Sequence, residues 1–166
     1  MDNKPIIIVA GEPNSIFLEI FFKSLESKKY KSPLIIICSK KLLQKQMKEL
    51  KFNFKINVIN STFTDFNKLN NKQINLINID YKFINCFEKI SNKSNKYIKK
   101  SFEVALKIMH QNNFTKFING PISKKSFLKG KTLGITEYLA KKTKKKDVVM
   151  LIFNKNLSVS PLTTHL

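Results

Sequence analysis

Four side chains in this 166-residue chain stand where chemistry could be done: His110, Lys124, Thr136 and His165. His165 follows an apolar stretch and two threonines, Thr163 and Thr164. An imidazole at the end of a strand can bind a divalent metal or shuttle a proton. A metal site needs at least three ligands, and no second histidine is placed to help, so the residues alone leave a surface role open. His110 falls near the end of a helical pattern, where a cation complements the helix C-terminus. Lys124 follows the turn Gly120-Pro121 at a helix start. Its ammonium could hold a phosphate or carboxylate, or be one more solvated lysine. Thr136 and Glu137 open another helical pattern. A hydroxyl beside free N–H groups at a helix N-terminus can bind phosphate, and the alternative is simple N-capping by Thr136.

Other site signatures are missing from the sequence. It has no G-x-G-x-x-G, no Walker loop and no H-E-x-x-H. Four glycines, at positions 11, 120, 130 and 134, cannot build a glycine-rich phosphate cradle. Cys38 and Cys86 are too few for a disulfide scaffold or a cysteine-based zinc site. Both lie among apolar residues and read as reduced core thiols of a cytosolic protein.

The elements that must position these residues alternate between strand-like and helix-like. A β-branched run at 6–10 stops at Gly11-Glu12-Pro13. A helix follows over about 15–27, capped by Asn14 or Ser15, with Phe17, Ile20, Phe21 and Leu25 on one face. A second strand spans 34–38. Ser39 then caps a helix to about 50, with Leu42, Leu43, Met47 and Leu50 as its stripe. A third strand is expected at 54–59, and a fourth at about 74–79 within an Asn-rich loop. Residues 92–111 form the clearest helix, with Ile98, Phe102, Ala105, Leu106 and Met109 at helical spacing. A short strand at 116–119 ends at Gly120-Pro121. Helical character resumes at 123–128 and 135–142, and strands are expected at 148–153 and 157–162. This order predicts an α/β protein, three-layer α/β/α with a largely parallel sheet. Ligands in such sheets sit beyond the carboxyl ends of the strands. The three strand-end segments there are Gly11-Glu12-Pro13, Asn119-Gly120-Pro121 and Thr163-Thr164-His165.

Composition constrains partners. The net charge is +20, carried by 31 lysines and no arginine. Readers of bases and phosphates lean on arginine's planar fork. The chain also holds 21 isoleucines and 18 asparagines but three alanines. That bias is how an AT-rich genome writes a protein, and it makes the charge a property of solvated faces such as 141–146, without specific nucleic-acid partners. No apolar run approaches the ~18 residues of a membrane span. A soluble, cytoplasmic protein with no membrane partner is the expectation.

Taken in order, several segments together resemble one family. They are the strand before Gly11-Glu12-Pro13, with Ile16 and Glu19 after it, then Asn119-Gly120-Pro121-Ile122-Ser123-Lys124, then Gly134-Ile135-Thr136-Glu137-Tyr138-Leu139, then Val148-Val149-Met150-Leu151, then Leu162-Thr163-Thr164-His165-Leu166. This series resembles the N-terminal half of the 4-hydroxythreonine-4-phosphate dehydrogenase family of vitamin B6 biosynthesis. The resemblance implies an isocitrate/isopropylmalate dehydrogenase-like fold, incomplete in this chain, with a first α/β subdomain over about 1–118 and the start of a substrate and metal subdomain over about 119–166. It implies an enzyme, an NAD- or NADP-dependent oxidoreductase assisted by a divalent metal (Zn, Mg or Co). Its substrate is a small phosphorylated amino acid, 4-phosphooxy-L-threonine. Oxidation of the secondary alcohol gives a 3-keto acid, which loses CO2 to yield 3-amino-2-oxopropyl phosphate. The family's form is a homodimer with sites at the subunit interface. By the same resemblance His165 is a metal ligand, Thr136 binds substrate, and Lys124 lies near it.

The sequence departs from the family pattern in three places. Ile135 stands where the family has a substrate-binding histidine, and isoleucine cannot donate a hydrogen bond. Phe17 and Leu18 replace a Gly-Pro pair after the first turn. The chain stops just after His165, before the family's other metal histidines and most of its NAD site, so it reads as a truncated enzyme, inactive alone. Two alternatives remain at this point: a lysine-rich nucleic-acid-binding module, and a non-catalytic half-domain that binds a phosphorylated metabolite.

Overall fold

The computed structural model describes residues 4–60, 62, 65–130 and 132–161. The chain forms two compact units, Met1–Ile122 and Ser123–Leu166. The first is built on a five-stranded sheet. Its strands are β1 (Ile6–Val9), β2 (Leu34–Cys38), β3 (Ile56–Val58), β4 (Ile74–Asn78) and β5 (Phe117–Asn119), in the spatial order β3-β4-β2-β1-β5. Every pairing is parallel, with Ile7 opposite Ile35 and Phe117, and Ile36 opposite Leu76. Parallel strands need crossovers, and α1 (Phe17–Ser27), α2 (Lys40–Glu49) and α3 (Asn95–Asn112) lie in them, while between β3 and β4 the described residues hold only a 3-10 turn (Phe66–Lys68).

The sheet is covered on both faces, which is why β1 and β2 read as unbroken apolar runs. Ile8, Leu34, Ile36 and Leu76 pack with Leu18, Phe21 and Phe22 of α1 and Leu43 of α2. Strand alternation turns Ile7, Val9, Ile35 and Ile37 to the opposite face, where α3 meets β1 and β2. There Phe102 sets its ring 6.1 Å from that of Phe117, and the Tyr97 hydroxyl accepts the Ser39 N–H at 3.2 Å. Cys38 and Cys86 are both buried and free. Burial in apolar surroundings pushes the Cys38 thiol far above its ordinary value.

Three local expectations change. On α1, Phe17, Phe21 and Leu25 face the core as expected, Leu18 and Phe22 join them, and Ile20 is half exposed. Positions 16–22 hold six apolar residues, so periodicity permits two overlapping stripes, and packing buries Leu18 and Phe22 in place of Ile20. The α1 N-cap is Ile16, without a side-chain cap bond. Ser15 Oγ instead accepts the Phe17 N–H at 3.3 Å, while Asn14 reaches across to another loop. Position 46 of α2 carries a buried glutamine inside the expected apolar stripe.

The second unit holds a π-helical turn (Lys124–Leu128), then α4 (Ile135–Thr143), then an extended arm. Phe127 and Tyr138 pack edge to face at 5.3 Å. The lysine run over 141–146 is exposed throughout. The two strands expected at 148–153 and 157–162 are not formed as strands among the described residues. A single antiparallel bridge, Ile152 to Val159, joins them.

Candidate functional site

The carboxyl edge of the sheet brings two of the three expected strand-end segments together. The turn after β1 (Gly11-Glu12-Pro13) and the turn after β5 (Gly120-Pro121) meet backbone to backbone. The Gly120 N–H donates to the Val9 carbonyl at 2.7 Å, and the Glu12 N–H donates to the Pro121 carbonyl at 2.8 Å. Glycine is required for this approach. A Cβ on Gly120 would lie 2.0 Å from the Ala10 oxygen. Gly11 takes a φ of +75°, and a Cβ on it would lie 2.4 Å from the Pro121 oxygen. The third segment, with His165, lies outside the described residues.

Glu12 is the chemical centre of this junction. It is only 2% exposed. Its Oε2 accepts the Ser94 hydroxyl at 2.9 Å and its Oε1 the Asn14 N–H at 3.5 Å. Ser94 immediately precedes α3, so the carboxyl sits where the helix dipole favours negative charge. Burial is the larger effect and raises the Glu12 carboxyl above the usual carboxylate range, against the two hydrogen bonds that lower it. Asn14 Oδ1 accepts the Glu88 N–H at 3.2 Å. Glu88 in turn accepts the N–H groups of Ile84 and Asn85 at 2.9 and 2.8 Å, which hold its carboxyl below the usual value. Gln46 donates to the carbonyls of Pro13 and Cys86 at 3.0 and 2.6 Å. The Gly11–Asn14 turn is thus pinned to β5, α2, the 84–88 loop and the start of α3.

Sequence reading missed Glu12, Asn14, Gln46, Glu88 and Ser94 as a group. Their partners are up to 82 residues away in the chain, so no local spacing marks them. The usable signals were a carboxylate at a strand-end turn and a glutamine inside an apolar helical stripe. A raised carboxyl makes a specific pH prediction. The folded state holds its proton more tightly than the unfolded chain, so Glu12 costs stability as pH rises from the unfolded to the folded value. Glu12→Gln should therefore gain melting temperature relative to the parent as pH rises above about 4, the ordinary carboxylate value. A difference that is flat or falls over that range in thermal melts contradicts the raised carboxyl.

The second unit carries Lys124, Ile135 and Thr136. Lys124 is exposed and opens the π-helical turn. The α4 N-cap is Gly134, without a side-chain cap bond, so Thr136 is the second helical residue and does not cap. Ile135 is the first helical residue, and both are half-buried. The Glu137 carboxylate lies against the turn, 3.0 Å from where a Gly134 Cβ would stand. Its Oε2 is buried with no hydrogen-bond partner among the described residues. A buried acceptor without a donor, in the first turn of a helix, could take a hydrogen bond from a ligand.

A groove of about 710 Å³ lies at the carboxyl ends of β3 and β4 against α3, lined by Val58, Ile77, Lys100, Lys107 and Ile108 among others. It shares no residue with the β1 and β5 turns. Among the described residues, no group of three or more His, Cys, Asp or Glu side chains converges on one point. No helix among them is long and apolar enough to cross a membrane.

A wholly parallel sheet, helices on both faces and polar turns at its carboxyl edge define an α/β protein of the class that places ligands at strand ends. Residues 29–166 match the family described as pyridoxal phosphate biosynthetic protein PdxA, and the chain belongs to that family. It is 30% identical, over 97% of its length, to a 4-hydroxythreonine-4-phosphate dehydrogenase of Sulfurihydrogenibium sp., of which it covers 49%. Its fold matches the crystal structure of the Burkholderia phymatum enzyme of that name with a TM-score of 0.74 at 21% identity, covering 98% of this chain and 50% of that one. The Klebsiella pneumoniae enzyme of the same name gives 0.73 at 17% identity, covering 95% of this chain and 49% of that one. The chain spans about half the length of the relatives it matches.

Proposed function

We propose that this chain is one half of a catalytic unit that oxidises 4-phosphooxy-L-threonine with NAD or NADP in pyridoxal phosphate biosynthesis. The observation that carries this reading is the family match over residues 29–166. The reaction removes a hydride from the secondary alcohol and a proton from its hydroxyl. The resulting 3-keto acid loses CO2 to give 3-amino-2-oxopropyl phosphate. The working form is a cytoplasmic homodimer.

In this reading the substrate seat lies at the start of α4. The Thr136 hydroxyl and the leading N–H groups of the helix donate to the phosphate. Lys124 adds a cation that draws the phosphorylated substrate in. Glu137 Oε2, buried and without a donor among the described residues, accepts a donor of the substrate. The turns at Gly11 and Gly120 fix the carboxyl edge of the sheet. The described residues do not fit a complete metal site. His165, which lies outside them, is the one ligand this chain would contribute, so no step is derived through the metal. The nicotinamide site falls to the half of the relatives that this chain does not span.

A binding role for Thr136 is separable from the chemistry. In the complete catalytic unit, Thr136→Val should raise KM for the phosphorylated substrate by about 10-fold or more, the cost of one charge-assisted hydrogen bond. The kcat should change little. Steady-state kinetics with an unchanged KM would remove Thr136 from the seat.

A further inference from the structure

Helix α3 packs on β1 and β2, and beside it, over the carboxyl ends of β3 and β4, runs the groove of about 710 Å³. Its floor is apolar. Ile59, Ile77 and Ile108 are buried residues that line it, and Val104 of α3 is half-buried at its wall. A second hollow of about 410 Å³ adjoins it and shares Asn78, Ile79 and Lys100 with it. Protein interiors are close-packed, with few voids larger than a water molecule. An apolar wall that faces open space forfeits dispersion contacts. The groove's volume falls within the roughly 300 to 1,000 Å³ of small-molecule sites.

Charge borders the same space. Lys96, Lys100 and Lys107 of α3 line the two hollows. Residues four apart share a helix face, so Lys96 and Lys100 stand together where β4 ends, and Lys107 lies about 10 Å further along the helix. None of the three forms an ion pair among the described residues. The two carboxylates nearby are engaged by their own neighbours. Glu103 faces Lys99 at 3.8 Å, and Asp80 accepts the Asn78 amide at 2.9 Å. We infer that this groove binds a small amphiphilic anion, its phosphate or carboxylate head between Lys96 and Lys100 and its apolar body on Ile77, Val104 and Ile108. An inorganic anion would leave the floor bare, and a neutral apolar molecule would gain nothing from the lysines. The groove shares no residue with the β1 and β5 turns or with the start of α4. It is an accessory site, independent of the reaction proposed above.

The test titrates the 166-residue chain with octyl phosphate, octanoate, inorganic phosphate and octanol, read by calorimetry and by amide shifts in NMR. Octyl phosphate or octanoate should bind one to one, at least about 10-fold more tightly than inorganic phosphate or octanol. The bound anion should shift the amides of residues 77–79 and 100–111, and the tighter of the two amphiphiles identifies the head group. Lys96→Ala combined with Lys100→Ala, at exposed positions, should weaken binding about 10-fold. Lys141→Ala combined with Lys145→Ala removes the same charge from the second unit and should leave binding within about 2-fold. Equal losses from the two pairs would mean that the net charge of +20 attracts the anion without a site. Shifts confined to 148–153 would place the anion on the exposed apolar residues there. Either result, or no binding of either amphiphile, would overturn the inference.

Discussion

Gly120→Ala should destabilise the first unit by about 3 kcal/mol or more, lowering the melting temperature by roughly 10 °C. The new Cβ would stand 2.0 Å from the Ala10 oxygen, 2.7 Å from the Ala10 carbonyl carbon and 2.9 Å from Phe17 Cγ. Two of those atoms are backbone, so no rotamer change relieves the clash. The ends of β1 and β5 must part. That breaks the Gly120-to-Val9 and Glu12-to-Pro121 hydrogen bonds, each worth about 1 kcal/mol net, and adds the cost of overpacking a dense site. Gly130→Ala is the control. It has a φ of +70° but nothing within 4 Å of its Cβ, so its cost is about 1 to 2 kcal/mol of backbone strain alone. Chemical denaturation of both variants checks the pair. Equal losses at the two positions would mean the strand-end turns are not in contact as described.

Ile135→His should raise kcat/KM for 4-phosphooxy-L-threonine in the complete catalytic unit by about 10- to 100-fold. Ile135 is the first residue of α4, beside Thr136 and the unpartnered Glu137 Oε2. If the proposed seat binds the substrate, an imidazole there would supply a donor to it, and hydrogen bonds to charged groups contribute about 1.5–3 kcal/mol. The gain should depend on pH, because a histidine titrates near neutrality and isoleucine does not. Kinetics across pH read both effects. An unchanged kcat/KM would mean this chain holds its substrate without a donor at position 135, as a non-catalytic binder or an enzyme with another substrate would.

The sequence made the sheet legible where both faces are buried. Ile6–Val9 and Leu34–Cys38 are β-branched runs bounded by Gly or Pro, and β4 was readable within a residue despite its Asn-rich approach. The α3 stripe at Ile98, Phe102 and Ala105 was equally plain. What failed had a physical cause in each case. On α1 only Ile20 was misplaced, because Ile16, Phe17, Leu18, Ile20, Phe21 and Phe22 fill two overlapping stripes and packing buries Leu18 and Phe22 instead. Residues 148–153 and 157–162 carry strand patterning, but a strand exists only with a neighbour, and among the described residues one bridge is all they form. The Glu12 network was illegible because it joins residues from four distant segments. Motif resemblance located Lys124, Ile135, Thr136 and His165. It could not supply their geometry, and for His165 the described structure supplies none.

We propose that this chain contributes a substrate seat to a nicotinamide-dependent oxidation of 4-phosphooxy-L-threonine. The most direct measurement is reduced nicotinamide, followed by absorbance, when the chain, assembled with its complementary half, receives that substrate, NAD or NADP and a divalent metal. The predicted result is reduced nicotinamide formed in step with released CO2, lost when either half is omitted. An assembled complex that binds the phosphorylated substrate and yields neither product would contradict the claim.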